Sequence, residues 1–220
     1  IKNIDSLGIN TDVMQSYETS KSVLTGLGHK LKEVDFSELS SGICSYYVIA
    51  PAECSSNLSR FDGVKYGYRA SNQKDISNLY METRSEGFGD EVKKRILIGT
   101  HVLSAGFYDA YYLQAQKVRR MIKNKFESIF KDVDLIFMPT TLDQAFEKNR
   151  KDSDPNRMYK EDLLTIPANL AGLPAISFPN GFKNNLPVGG QFIGNYFSED
   201  LLLATTHKIQ EVTDWHKMTP

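Results

Sequence analysis

From Thr11 onward, Val13, Met14, Tyr17, Val23, Leu24 and Leu27 recur with a period of about 3.6 residues, the spacing of one helix face. Thr11 and Asp12 open this helix, and Gly26 with Gly28 close it. The following run, "HKLKEVDF", alternates polar and apolar positions as a strand does. A second helix is expected from about Leu39 to Leu58, with Ile43, Tyr46, Tyr47 and Ala50 on one side and Pro51 placed to kink or divide it. "RFDGVKYGYRAS" is a loop, after which Asp75 begins the helical pattern of Ile76, Leu79 and Tyr80. Gly87 and Gly89 separate that helix from another reaching about Leu103, and the longest helix spans about Tyr108 to Phe130. "VDLIFMP" is a short buried strand stopped by Pro139, while "AISFPNGF" and "VGGQFIG" are two more strands around a loop. A last helix runs from Glu199 to about Val212 with Ser198 as its cap. Helices interspersed with short apolar strands predict an α/β layer structure with the sheet inside. With no repeat and no linker tract, residues 1–220 are expected to form a single domain or one half of one.

Composition narrows the class further. Hydrophobic residues make up 40% and charged residues 24%, as in ordinary globular proteins, and the net charge of -1 gives no bulk attraction to nucleic acid or an acidic membrane. No apolar run approaches the ~20 residues that span a bilayer. The chain starts at Ile1 rather than Met, so further sequence upstream is expected. Cys44 and Cys54 lie in the same expected helix, about 15 Å apart along its axis, too far to pair, and are expected as buried thiols of a reducing compartment. None of His29, His101, His207 and His216 has a partner at metal-ligand spacing. No nucleophile elbow, phosphate-cradling loop, dinucleotide fingerprint, H-E-x-x-H or C-x-x-C motif occurs.

The stretch "RSEGFGDEVKKRILIGTHVLSAGFYDAYYLQAQKVR" mixes charges, glycines and tyrosines within a helical pattern, more polarity than a helix pair needs for packing. Together with "YYVIAPAECSSNLSRFDGVKYGYR" before it, and "MPTT", "LLTIPANLAGLPAISFPNGF", "PVGGQFIG" and "DWHK" after it, this stretch resembles the family of aspartyl/glutamyl-tRNA amidotransferase A subunits. "NLAGLPAIS" alone points to the wider amidase-signature superfamily.

The resemblance implies the C-terminal part of an amidase-signature fold, an α/β domain whose central mixed sheet is covered by helices on both faces. It implies a glutaminase that releases ammonia for a partner to convert Glu-tRNA(Gln) or Asp-tRNA(Asn) to the amidated product. The family's Ser-Ser-Lys triad lies in a Gly/Ser-rich signature that is not in this sequence and is expected upstream of Ile1. The substrate is a zwitterion, so a specific pocket offers a cation to its α-carboxylate and an anion to its α-ammonium. By resemblance those roles fall to Arg95 in "KKRILIG" and Asp162 in "KEDLLTIP", with Tyr46, or its neighbour Tyr47, lining the pocket. Against this stand a solvated basic helix face for Arg95, a surface carboxylate for Asp162 and a core aromatic for Tyr46.

Tyr108, Tyr111 and Tyr112 are expected to pack around their helix, and Arg84 with Glu86 to be a structural ion pair rather than part of an ammonia route. The implied partners are the tRNA-binding, kinase-like B subunit, where ATP and Mg would bind, and the small belt-like C subunit. This segment itself is expected to hold no cofactor and no metal, and to touch neither nucleic acid nor membrane. The implied location is the bacterial cytoplasm or an organellar matrix. The chain departs from the family pattern at Asn180, where the family often has Cys, at Gly190, usually a large aliphatic, and at Leu142 and Asp143, where a proline-rich pattern is lost.

Overall fold

In a computed structural model of the chain, residues 1–2, 4–36, 39–71, 74–148 and 160–220 are described. Helix α1 (Thr11–Gly26) is capped one residue earlier than expected, by Asn10, whose side chain accepts from the Asp12 N–H at 2.8 Å. Helices α2 (Leu39–Leu58), α3 (Ile76–Gly87) and α4 (Asp90–Val102) follow, and Pro51 sits inside α2 without dividing it. A π-helical turn, Tyr108–Tyr112, leads into α5 (Leu113–Ile129). Then come β1 (Leu135–Pro139), α6 (Ile166–Ala171), β2 (Ala175–Lys183), β3 (Leu186–Gly194) and α7 (Glu199–Val212).

The chain divides into two compact units, Ile1–Ile43 with Arg119–Pro220, and Cys44–Val118. The first is built on a sheet of order β1-β3-β2. That sheet, expected as mixed, is antiparallel throughout its described strands, because β2 and β3 form a hairpin and β1 runs against β3. Lys183 pairs with Leu186, so Asn184 and Asn185 form the turn alone, with φ of 52° and 61°. Positive φ at both positions is the type I′ geometry that matches strand twist, and asparagine tolerates it.

Strand alternation sends Phe137, Phe178 and Phe192 to one face, where they meet Leu24 of α1, Leu27 just past its end, and Leu202 and Ile209 of α7. The Phe178 and Phe192 rings are 5.0 Å apart. Each such side chain contributes about 1.5–3 kcal/mol by leaving water. The opposite face buries Ile136, Met138 and Ile193. There Gln191 donates to the carbonyls of Pro139 (3.1 Å) and Leu164 (3.0 Å), tying the sheet to the segment that enters α6.

Three local expectations are corrected. "HKLKEVDF" forms no strand: Val34 O accepts a single backbone bond from Lys2, Phe36 is buried edge-on to Phe126, and Lys125 pairs with Asp35. Leu31 is exposed and only Phe36 is buried, so the alternation does not mark a buried face and the segment is pinned by a few side chains. Ser198 does not cap α7 with its side chain; its hydroxyl donates to Asn195 O at 2.7 Å, and Glu199 and Asp200 complement the helix N-terminus instead. Cys44 is exposed and Cys54 half-buried, both unbridged, since helix position rather than apolar character sets their burial.

Two of the departures from the family pattern touch one another. A Cβ on Gly190 would lie 3.0 Å from Asn180 Cγ and 3.1 Å from Phe178 Cζ. Asn180 is fully buried beside the β2 bulge, accepts from the Ser20 hydroxyl, and its Nδ2 meets no acceptor among the described residues. Gly190 therefore makes the room that Asn180 fills. Gly190→Ala should cost about 1–3 kcal/mol in denaturant unfolding. Combined with Asn180→Cys it should cost less than the sum of the two single changes; additive costs would refute the volume exchange.

Candidate functional site

In the second unit, Gly89 precedes α4, and Asp90 and Glu91 occupy its first turn, where carboxylates are favoured by the helix dipole. One turn on, the Arg95 Nε donates to Glu91 Oε1 at 3.1 Å. The pair is partly solvated, with side-chain exposures of 33% and 51%, so it orients the guanidinium more than it stabilises the fold. Lys93 and Lys94 are paired along the helix surface with Asp90 (3.4 Å) and Glu91 (3.9 Å).

Helix α2 supplies the other wall. The Tyr46 and Tyr47 rings meet edge to face, 5.1 Å apart at 87°. Arg95 Cζ lies 6.0 Å from the centre of the Tyr47 ring, and Tyr46 stands near enough to act on the guanidinium electrostatically. The Glu91 hydrogen bond, opposed by partial burial and aided by Tyr46, holds the guanidinium pKa above its ordinary value. Two of the three residues expected to bind substrate are thus together, and Tyr46 and Tyr47 both face Arg95.

Sequence reading missed what brings them there. A Cβ on Gly99 would stand 1.9 Å from the Pro51 carbonyl oxygen, so α4 and α2 touch backbone to backbone at this point. One turn farther back on each helix are Arg95 and Tyr47, and Ser55, one turn ahead on α2, bonds at 2.8 Å to Thr100, the residue after Gly99. A glycine in a helix interior, which costs about 1 kcal/mol relative to alanine, was the available signal for this contact. Glu91, an acid four residues before an arginine on a helix, was the signal for the ion pair.

Arg84 and Glu86 do not form the expected ion pair, because each is engaged elsewhere. Arg84 Nη1 donates to the carbonyls of Leu58 (2.8 Å) and Phe61 (3.2 Å), satisfying the end of α2. Glu86 accepts from the Tyr68 hydroxyl at 2.5 Å. Tyr108 stacks on Tyr112 at 5.1 Å and Tyr111 lies against Phe107 at 5.9 Å, while Tyr108 and Tyr111 stay exposed.

In the first unit, Asp162 is half-buried on the turn before α6. Its backbone carbonyl accepts from Thr165 N (3.2 Å) and Ile166 N (3.0 Å), and the buried Leu163 and Leu164 fix the turn behind it. Gly172, with φ of 73°, closes α6 in the left-handed conformation. A shallow concavity of about 270 Å³ nearby is lined by Gly8, Asn10, Leu142, Asp143, Lys160 and Glu161, not by Asp162.

A family model described as Amidase matches residues 2–203. The chain is 57% identical over 212 residues, 96% of its own length and 44% of the relative's, to the A subunit of glutamyl-tRNA(Gln) amidotransferase of Hahella chejuensis. It is 53% identical over 213 residues, 97% of its length and 44% of the relative's, to the protein of the same name in Coxiella burnetii. Its structure matches the crystal structure of the glutamyl-tRNA(Gln) amidotransferase A subunit from Thermotoga maritima with a TM-score of 0.73 at 37% identity, covering 100% of this chain and 43% of that one. It also matches 6-aminohexanoate cyclic dimer hydrolase with a TM-score of 0.68 at 18% identity, over 96% of this chain and 43% of that one, which shows a shared fold. The chain spans less than half the length of the curated relatives it matches.

Proposed function

The chain belongs to the amidase family, and on that footing we propose that it is the C-terminal part of the glutaminase subunit of a tRNA-dependent amidotransferase. In this reading the whole subunit hydrolyses glutamine, and the ammonia serves a partner that amidates Glu-tRNA(Gln) or Asp-tRNA(Asn). The Ser-Ser-Lys triad lies in the part of the subunit outside this chain. This segment supplies scaffold and substrate-binding walls. Arg95 takes the α-carboxylate, Asp162 the α-ammonium, and Tyr46 lines the pocket. The observation that carries the reading is the Arg95 guanidinium, oriented by Glu91 through Nε with Tyr46 and Tyr47 beside it. Arginine has five N–H donors, so donors remain for a planar carboxylate.

The partners in this reading are the tRNA-binding, kinase-like B subunit, which holds ATP and Mg, and the belt-like C subunit, in the bacterial cytoplasm or an organellar matrix. Recognition of tRNA is left to the kinase-like partner. The most basic helix, α5, spends much of its charge internally: Arg119 donates to Leu170 O at 2.8 Å, Lys123 lies over Tyr196 at 5.4 Å, and Lys125 pairs with Asp35 at 3.6 Å. Among the described residues no helix is long and apolar enough to cross a membrane.

The test is ammonia release by the full-length protein in complex with its partners, with glutamine against a simple apolar amide. Glutamine should be preferred by roughly 100-fold or more in kcat/KM, since a site built for charged groups rejects a substrate lacking them. The 220 residues alone should release none. Equal turnover of the apolar amide would make the protein an amidase of another specificity, and activity from this segment alone would misplace the nucleophile.

A further inference from the structure

We propose that Glu91 is a positioning residue for substrate, holding the Arg95 guanidinium in the orientation that receives a carboxylate. The inference rests on the reading of Arg95 as the carboxylate-binding group and extends it to a residue that acts on substrate only through Arg95. Three features of the unit formed by Cys44–Val118 support it. The Glu91 carboxylate meets Nε, so the donors that a carboxylate ligand would use are those of the two Nη groups. Its second oxygen, Oε2, lies 3.9 Å from Lys94 Nζ, a longer charge contact that adds a weak attraction on the carboxylate. The guanidinium carbon also lies 6.0 Å from the centre of the Tyr47 ring, a contact that favours its place over the ring but does not fix its rotation. Rotation about the long arginine stem is what the Nε contact stops.

A surface pair at helical spacing adds only tenths of a kcal/mol to folding, so its removal should leave the fold intact. Its effect belongs to binding, where a guanidinium that must be ordered on each encounter costs affinity without changing the chemical step. Glu91 also neutralises part of the charge on Arg95, an effect of opposite sign. If neutralisation dominated, removing Glu91 would tighten glutamine binding.

Glu91→Ala and Glu91→Gln, made in the full-length protein within its complex, separate these. Glu91→Ala should raise KM for glutamine about five- to tenfold, with kcat within about twofold and the melting temperature unchanged. Glu91→Gln keeps an oxygen that accepts from Nε–H and should restore KM to within about twofold of the parent. An unchanged or lowered KM in Glu91→Ala overturns the proposal, as does an equal rise in both variants. Arg95→Ala in parallel keeps the two readings apart. If it raises KM while Glu91→Ala does not, the positioning role alone fails. If it leaves KM unchanged, the assignment of Arg95 fails.

Discussion

Gly99→Ala is expected to loosen the unit formed by Cys44–Val118 more than other single-methyl additions in that unit. The added carbon would fall 1.9 Å from the Pro51 carbonyl oxygen, 2.5 Å from the Pro51 carbonyl carbon and 2.8 Å from Ser55 Cβ. Two of those atoms are helix backbone and cannot swing aside as a side-chain tip does, so α4 must move off α2. Overpacking of this kind costs about 3 kcal/mol, against which the better helix propensity of alanine returns about 1. A net loss of about 2 kcal/mol or more in urea unfolding is expected, with faster hydrogen exchange in α2 and α4. Gly26→Ala is the control, because a Cβ there meets nothing within 4 Å and the residue ends α1. It should be neutral or stabilising by up to about 1 kcal/mol. If Gly99→Ala is as stable as the parent, the helices do not touch where the structure places them. Since Arg95 and Tyr47 stand one turn from the contact, the same change should also weaken glutamine binding.

The elements that were legible in the sequence are those whose burial pattern is periodic and local. The α3 start at Asp75 was readable because its side chain accepts from Asn78 N at 2.8 Å, a cap that needs no tertiary partner. The strands β1, β2 and β3 were readable as short apolar runs between turn residues. "HKLKEVDF" failed because alternation says one side is buried and says nothing of a ladder partner, and the run makes its contacts through Phe36 and its charges. The candidate site divides in the same way. Arg95, Tyr46 and Asp162 were named by resemblance from ordered motifs and the Glu91 contact was signalled by its spacing on α4, whereas the Gly99 approach needed the helix pair itself. The exchange between Asn180 and Gly190 was invisible for that reason too, the two residues meeting across strands and not along the chain.

Arg95→Ala and Asp162→Ala, each in the full-length protein, should lower kcat/KM for glutamine by about 2–4 kcal/mol, roughly 30- to 1,000-fold. The magnitude is that of leaving one charged end of a bound zwitterion without its partner, and it exceeds what a solvated helix charge or a surface carboxylate would contribute. The two losses should also differ in kind. Glutaminamide has no α-carboxylate, so the Arg95→Ala enzyme should turn it over about as well as the parent does, while Asp162→Ala should still impair it. Glutaramate has no α-ammonium, and the pattern should reverse. Each residue is thereby tested against the half of the substrate it is assigned to, with the intact half as an internal control. The fold offers a physical basis for expecting two separable effects: Arg95 is oriented by Glu91 on α4, and Asp162 by a turn anchored through Leu163, Leu164 and Gln191. Equal losses on glutamine, glutaminamide and glutaramate would mean that the two residues support the fold, and would return Arg95 to the solvated basic face from which its neighbours Lys93 and Lys94 are not distinguished by sequence alone.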